Sequence, residues 1–366
     1  MSGTENRHRE GRPLTKITDP FAVLVSELPH FADAFVQRLL AERWGISASL
    51  KSLLSERDQN FKVTDEQGGE YVLKIANPDE QREVTDFQVR ALQHIERRDP
   101  SIRVPRVYKT LDGQSGFEIK DDGKVYFVRL VSFLAGVPFE QVAISNAYRF
   151  NLGAHLAALG IALRDFRHPG SSHALLWDMT HALELRGLLK HISDRDVKRE
   201  VGQVLDNFAR NIEPRLADMR SQVIHNDLNP ANALVAANNP DQVAGIIDFG
   251  DMIHAPLIFD VAVAAAYHRE FGDSPLEPMG YFVRGYHSVC PLQARELDVL
   301  FDLLKTRLGM TVAILHWRAS RKGPEDPYLG AALQGEANAA AFLMRLRDVS
   351  ADDALEFFRK ACNSAS

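Results

Sequence analysis

Val223-Ile224-His225-Asn226-Asp227-Leu228-Asn229-Pro230-Ala231-Asn232 runs from a short apolar stretch into a polar loop, and Ala233-Leu234-Val235 returns to apolar chain. Sixteen residues after Asn232 comes Asp248, inside Ile246-Ile247-Asp248-Phe249-Gly250-Asp251. The first stretch reads H-x-D-x-x-x-x-N and the second Asp-Phe-Gly, each closing a short strand-like run. A carboxylate on a rigid loop can orient a hydroxyl and take its proton, and Asp227 suits that part. Asn232 and Asp248 offer an amide oxygen and a carboxylate from two sides of one hairpin, the donor types that Mg²⁺ prefers. Asp-Phe-Gly alone carries little weight, because two loops with solvated carboxylates would look similar. The two motifs in this order carry much more.

Together they form the two halves of a kinase-type phosphoryl-transfer site. His225 reads as a brace for the loop, not as a reacting group. Such a site needs an upstream cation for the phosphates. Tyr71-Val72-Leu73-Lys74-Ile75 puts a lysine inside an apolar strand, in the place of V-A-I-K. The bland alternative is a strand lysine pointing to water. The segment REVTDFQVRALQHIERR predicts a helix over 82–97, with Val84, Gln88, Ala91, Leu92 and Ile95 on one inward face. Gln88 therefore either orients Lys74 through its amide or simply packs. Glu83 lies on the flank of that face, and Asp86 points almost opposite. No G-x-G-x-x-G is present. Its place is held by Ser55-Glu56-Arg57-Asp58-Gln59-Asn60-Phe61. Backbone N–H groups and the Ser55, Gln59 and Asn60 side chains can donate to phosphate oxygens there, and the same residues equally suit an ordinary polar turn.

Working outward, 366 residues exceed the reach of one hydrophobic core, so two lobes are expected. Residues 1–20 are polar and predict a disordered tail. The pattern is helical from Phe21 to Arg43, then strand-like at 48–54, 61–64 and 71–75. FEIKDDGKVYFVRLVSFL predicts a hairpin turning at Asp122-Gly123. Beyond residue 140 helical stripes dominate, among them Leu297, Leu300, Leu304, Leu308 and Val312. The expected fold is α+β and bilobed, like a protein kinase: a small antiparallel-sheet N-lobe with one main helix, and a larger, mostly helical C-lobe. The lobes are placed at 21–135, for nucleotide binding, and 136–366, for catalysis and acceptor binding. Forty-three Lys and Arg against 49 Asp and Glu give a net charge of −6, which argues against a nucleic-acid coat. Two cysteines exclude a disulfide scaffold and a four-thiolate zinc site. No apolar run approaches the ~18 residues of a membrane span, and the first twenty residues lack the apolar core of a signal peptide. A cytoplasmic protein without membrane or nucleic-acid partners is expected.

On these residues the sequence resembles the aminoglycoside phosphotransferase and choline kinase superfamily. It looks most like the hydroxylysine kinase branch, through Ser55 to Phe61, Leu73-Lys74-Ile75-Ala76-Asn77, Val128-Arg129-Leu130, Trp177-Asp178, and Ile247 to Met252 followed by Asp260 and Ala262. The resemblance covers roughly residues 40 to 330. It implies a bilobed kinase-like fold, Mg²⁺ and a nucleoside triphosphate donor, GTP or ATP, with GTP typical of the hydroxylysine branch. The purine would lie at the lobe junction near Ser132-Phe133-Leu134. Asp260 falls where these folds brace the catalytic loop with a helix carboxylate. The chain departs from the family pattern at Asn226, where a glycine is usual.

One feature points to a small acceptor without the resemblance. Only eleven residues separate Asp248 from Asp260, too few for the activation segment that docks a polypeptide, so no protein substrate is expected. A zwitterionic acceptor needs a cation for its carboxylate and a carboxylate or aromatic face for its ammonium. Candidates are Trp177, Asp178, His254, Trp317, Arg318, Arg321 and Tyr328. Arg318 and Arg321 share a helical face, and equally suit a plain surface. The implied acceptor is 5-hydroxy-L-lysine, with an aminoglycoside, choline or hydroxy acid as the alternative. A catalytically silent nucleotide-binding relative would be expected to lack Asp227, Asn232, Asp248 or Lys74, and all four are present.

Overall fold

The computed structural model describes residues 26–321 and 327–364. The expected tail at 1–20 lies outside them. The helix expected from Phe21 is shorter: α1 spans Asp33–Trp44, and the described residues before it are not helical. Its buried residues, Val36, Leu39, Leu40 and Trp44, form the apolar stripe that the sheet covers.

The strands β1 (Ala48–Leu53), β2 (Gln59–Asp65) and β3 (Glu70–Ile75) follow, then α2 (Arg82–Arg98), β4 (Val107–Tyr108), β5 (Phe117–Asp121) and β6 (Lys124–Ser132). They form one antiparallel sheet in the order β1-β2-β3-β6-β4, with β5 also on β6. The β5–β6 hairpin turns at Asp122 and Gly123, with φ of 46° and 74°. Two left-handed residues match the strand twist, and Asp-Gly is the pair that reaches them cheaply.

Strand alternation sorts the sheet's two faces. Phe61, Val63, Leu73, Ile75, Val128 and Leu130 are buried against α1 in a small core of their own. Truncating a fully buried Leu73 or Phe61 to alanine would cost roughly 2–5 kcal/mol. On the opposite face the register places Asn60 beside Lys74 and Lys74 beside Arg129. Three polar side chains thus line up across three strands, facing the cleft. The inward face of α2 is as its periodicity predicts: Val84, Gln88, Ala91, Leu92 and Ile95 are all buried. Its Phe87, Ala91, Leu92 and Ile95 join the large core of the second lobe. Phe87 stacks on Phe166 at 5.9 Å between ring centroids.

After β7 (Val137–Pro138) come α3 (Asn146–Leu163), α4 (Arg195–Asn207), β8 (Ser221–Ile224), β9 (Ala233–Ala236), β10 (Asn239–Ile246) and β11 (Ile253–Pro256). The chain continues through α5 (Leu257–Ala265), α6 (Glu277–Val289), α7 (Ala294–Ala319), α8 (Pro327–Arg345) and α9 (Ala351–Asn363). β9 and β10 are the hairpin expected between the two motifs, extended by β7, while β11 pairs with β8. The 26-residue α7 is buried along most of its length, which makes it the axis of this lobe. Among the described residues no helix is long and apolar enough to cross a membrane.

Candidate active site

The loop between β8 and β9 is fixed from three directions. Both oxygens of Asp260, on α5, accept backbone N–H groups of the loop, His225 N at 3.2 Å and Asn226 N at 2.8 Å. The bracing role expected of Asp260 is met by these two bonds. His225 is fully buried, and burial lowers its pKa, so it is neutral. Its Nδ1 accepts the Asp227 N–H at 3.3 Å, leaving Nε2–H to donate to the Ile247 carbonyl at 3.1 Å. That ring ties the loop to the strand end before Asp248. Asn226 has a φ of 63°. This explains why asparagine can stand where glycine is usual, since it tolerates the left-handed region better than other side chains do.

Asp227 sits at the loop's centre. Its carboxylate accepts Asn229 Nδ2 at 3.1 Å and Asn232 Nδ2 at 2.8 Å. The guanidinium of Arg307, on α7, lies 3.8 Å from Oδ1. Burial and the nearby Asp251 hold the Asp227 carboxyl well above the ordinary carboxylate range, while Arg307 pulls it down. Asn232 also donates to the Asp227 carbonyl at 2.9 Å. With its nitrogen engaged, its oxygen is the end that remains for a cation.

Asp248 has a φ of 58° and opens onto the cleft. Lys74 Nζ lies 3.6 Å from its Oδ1, and this cation holds the carboxyl down to about 2. Among the described residues no group of three or more His, Cys, Asp or Glu could hold a metal alone. One carboxylate and one amide oxygen beside a cavity suit Mg²⁺, which binds through a few protein oxygens plus substrate phosphates and water.

Two cavities meet over these groups. One, of about 320 Å³, is lined by Ser55, Asn60, Lys74, Asp227, Asn232 and Asp248 among others. The next, of about 480 Å³, is mainly apolar, with Leu53, Val72, Ser132, Phe133, Leu134 and Phe249 on its walls. Lys74, Asn60, Ser132 and Leu134 thus fall on cavity walls. Asn60 keeps a buried Oδ1 without a hydrogen-bond partner at this junction. Ser55 Oγ accepts the Asp58 N–H at 3.2 Å, closing the β1–β2 turn.

Other expectations need correction. Gln59 points away from the cleft: its amide bonds the Phe31 N–H at 2.7 Å and the Phe31 carbonyl at 3.0 Å, because alternation along β2 turns it opposite Asn60. Gln88 does not hold Lys74. Its Oε1 accepts from Arg129 at 2.7 Å and its Nε2 reaches the Gly250 carbonyl at 3.4 Å. Arg129 stands beside Lys74 on the sheet and takes the amide first. Glu83 is exposed, so Asp248 is the carboxylate within reach of Lys74.

The acceptor candidates scatter. Trp177 lies under the Arg307 guanidinium, 4.6 Å from ring centroid to Cζ, which links it to Asp227. Asp178 caps a 3₁₀ turn by accepting the Thr180 N–H at 2.8 Å. His254 is exposed on β11, and Arg321 is exposed just past α7. Trp317 is buried. Arg318 is buried too and pairs with Glu56 of the β1–β2 turn. Arg318 and Arg321 therefore do not act as a pair. Tyr328 lies outside the residues whose side chains are described.

Arg307, Arg57 and Asp251 escaped the sequence reading. A signal existed for Arg307, which falls on the Leu300-Leu304-Leu308 stripe of α7, an arginine on an apolar face.

The sequence profile of the phosphotransferase enzyme family matches residues 49–297. The chain is 29% identical to hydroxylysine kinase of Mus musculus over 328 residues, 83% of this chain and 87% of that protein. Among solved structures, the microcompartment-associated aminopropanol kinase aligns with a TM-score of 0.68 at 21% identity, covering 88% of this chain and 99% of that one. Amicoumacin kinase hAmiN, in complex with AMP-PNP and Ca²⁺, aligns at 0.63 and 17%, covering 86% and 94%. These structures share the bilobed kinase-like fold. With Lys74, the Asp227 loop and the Asp-Phe-Gly turn all inside the matched span, the chain belongs to the phosphotransferase enzyme family.

Proposed function

We propose that the protein transfers the γ-phosphoryl group of GTP or ATP to a hydroxyl of a small hydroxylated amino acid or amine, with 5-hydroxy-L-lysine as the acceptor. The observation that carries this reading is the convergence of Lys74, Asp227, Asn232 and Asp248 on one cavity. The hydroxylysine kinase relatives and the aminopropanol kinase neighbour, whose names share a hydroxylated amine, support this choice of acceptor. Only eleven residues join Asp248 to Asp260, which favours a small molecule over a polypeptide.

In this mechanism the purine enters the apolar cavity beside Ser132 and Leu134, and Lys74 binds phosphate oxygens. Asn232 and Asp248 would hold Mg²⁺, which supplies charge neutralisation on the phosphates. Asp227 accepts a hydrogen bond from the acceptor hydroxyl and takes its proton as the oxygen bonds to the γ-phosphorus, the bond from that phosphorus to the β–γ bridging oxygen breaks, and the nucleoside diphosphate leaves. Arg307 favours the ionised form of that carboxylate against its burial, and Asn229 and Asn232 fix its orientation. Within the reading, the protein works in the cytoplasm on free metabolites, and both cysteines are free thiols.

The test is a nucleotide-consumption screen of the purified protein with Mg²⁺, GTP or ATP, and a panel of hydroxylated amines and amino acids. Turnover with 5-hydroxylysine above the acceptor-free rate is expected. Turnover only with aminoglycosides or choline would replace the acceptor and keep the chemistry.

A further inference from the structure

The β1–β2 turn has no glycine-rich run, yet it sits over the phosphate site. Its residue Arg57 reaches across the cleft and pairs with Asp251 of the other lobe. The guanidinium lies close to Gly250, where a Cβ would stand 3.0 Å from it. Both members of the pair are largely buried, with 19% and 7% of their side-chain surface exposed. Arg57 and Lys74 are the cations on the wall of the 320 Å³ cavity, against carboxylates that include Asp58, Glu80, Asp227, Asp248 and Asp251. A triphosphate keeps net negative charge even with one divalent cation bound, so it needs more than Lys74 here.

The turn is also built to hold this position. Asn77 Nδ2 donates to the Arg57 carbonyl at 3.2 Å, and Asn77 N–H reaches Asp58 at 3.3 Å. The neighbouring Glu56 is tied to Arg318 of α7. Arginine has five N–H donors in a rigid fork, so it can serve Asp251 and a phosphate oxygen together.

Resting on the kinase reading above, we infer that Arg57 is a phosphate-binding residue. The turn supplies an arginine to the β- and γ-phosphates, where a glycine-rich loop would supply backbone N–H groups. Asp251 itself competes with the phosphates for the guanidinium.

Calorimetric titration of the full chain with ATP and AMP, and with GTP and GMP, each with Mg²⁺, tests this. In Arg57→Ala and Arg57→Gln, triphosphate affinity should fall about 10- to 100-fold, the worth of one charge-assisted contact. Monophosphate affinity should hold within about threefold, which also shows that the variants fold. Asp251→Asn should bind triphosphate as tightly as wild type or tighter. Equal loss for both nucleotides, or equal loss in Arg57→Ala and Asp251→Asn, would mean that the pair merely latches the lobes, and would overturn the inference. Unchanged triphosphate affinity in both Arg57 variants would do so as well. If the wild type binds neither triphosphate, the kinase reading fails instead.

Discussion

The cleft has two walls made in different ways. One is the β8–β9 loop with the Asp-Phe-Gly turn. Most of its hydrogen bonds run within residues 225–250, with Asp260 bracing it from α5. The other joins the β1–β2 turn to residues far along the chain, through Arg57 to Asp251 and Glu56 to Arg318. Arg307 belongs with this second wall: it lies eleven residues before Arg318, three helical turns along the same face of α7, and it points at Asp227. The first wall is local, and in the proposed mechanism it carries the reacting groups. The second is assembled by tertiary packing, and sets charge and position around them. Mutations should separate the two walls by size and by kind of effect.

The largest effects belong to the local wall. Asp227→Asn keeps the shape and most hydrogen bonds of the loop but cannot accept a proton. Its kcat should fall by at least ~10²-fold, the scale of general-base contributions, with nucleotide affinity little changed. Near-normal turnover in this variant would remove Asp227 from the mechanism. Asp248→Ala should eliminate Mg²⁺-dependent nucleotide binding in a calorimetric titration, since no other carboxylate joins Asn232 on the metal in this reading. If affinity survives, the metal is held elsewhere.

The long-range wall should give smaller effects of another kind. Asp227 is held above the ordinary carboxylate range, and only its ionised form can act as a base. Activity should therefore drop as pH falls through that raised pKa, putting the acid limb above the usual carboxylate range. Arg307 pulls the pKa down, so Arg307→Met should move the limb of the kcat profile further up. A limb that stays in place would detach Arg307 from the base. Smaller still is Arg318→Ala. It frees Glu56 and loosens the turn, so nucleotide KM should rise by a few fold while acceptor KM stays put. A change confined to acceptor KM would instead return Arg318 to the acceptor-binding role first read from the sequence.

The same division decides what the sequence disclosed. Asp227, Asn232 and Asp248 were legible because their spacing is their geometry: a loop and a hairpin within one short stretch. Lys74 was legible as a cation interrupting an apolar strand. The β5–β6 turn could be read because Asp122-Gly123 suits two left-handed residues. Gln88 was half legible. Helical periodicity gives the face it lies on, but not that Arg129, on β6, claims its oxygen. Gln59 and Asn60 looked equivalent until strand alternation put them on opposite faces. Arg318 and Arg321 shared a helical face on paper, but the helix ends between them, and the first is drawn to Glu56. Partners 194 and 262 residues apart in sequence, as in Arg57–Asp251 and Glu56–Arg318, leave no periodic trace.

The central claim is that this cavity moves phosphate to a hydroxyl. The most direct measurement follows phosphorus by NMR as the wild-type protein meets Mg²⁺, GTP or ATP, and either 5-hydroxylysine or lysine. The account predicts a phosphate monoester signal growing with loss of the γ-phosphate signal for hydroxylysine alone, and neither change with lysine or with Asp227→Asn. Release of inorganic phosphate at the same rate with either amino acid, and no ester with any hydroxylated amine, would contradict it.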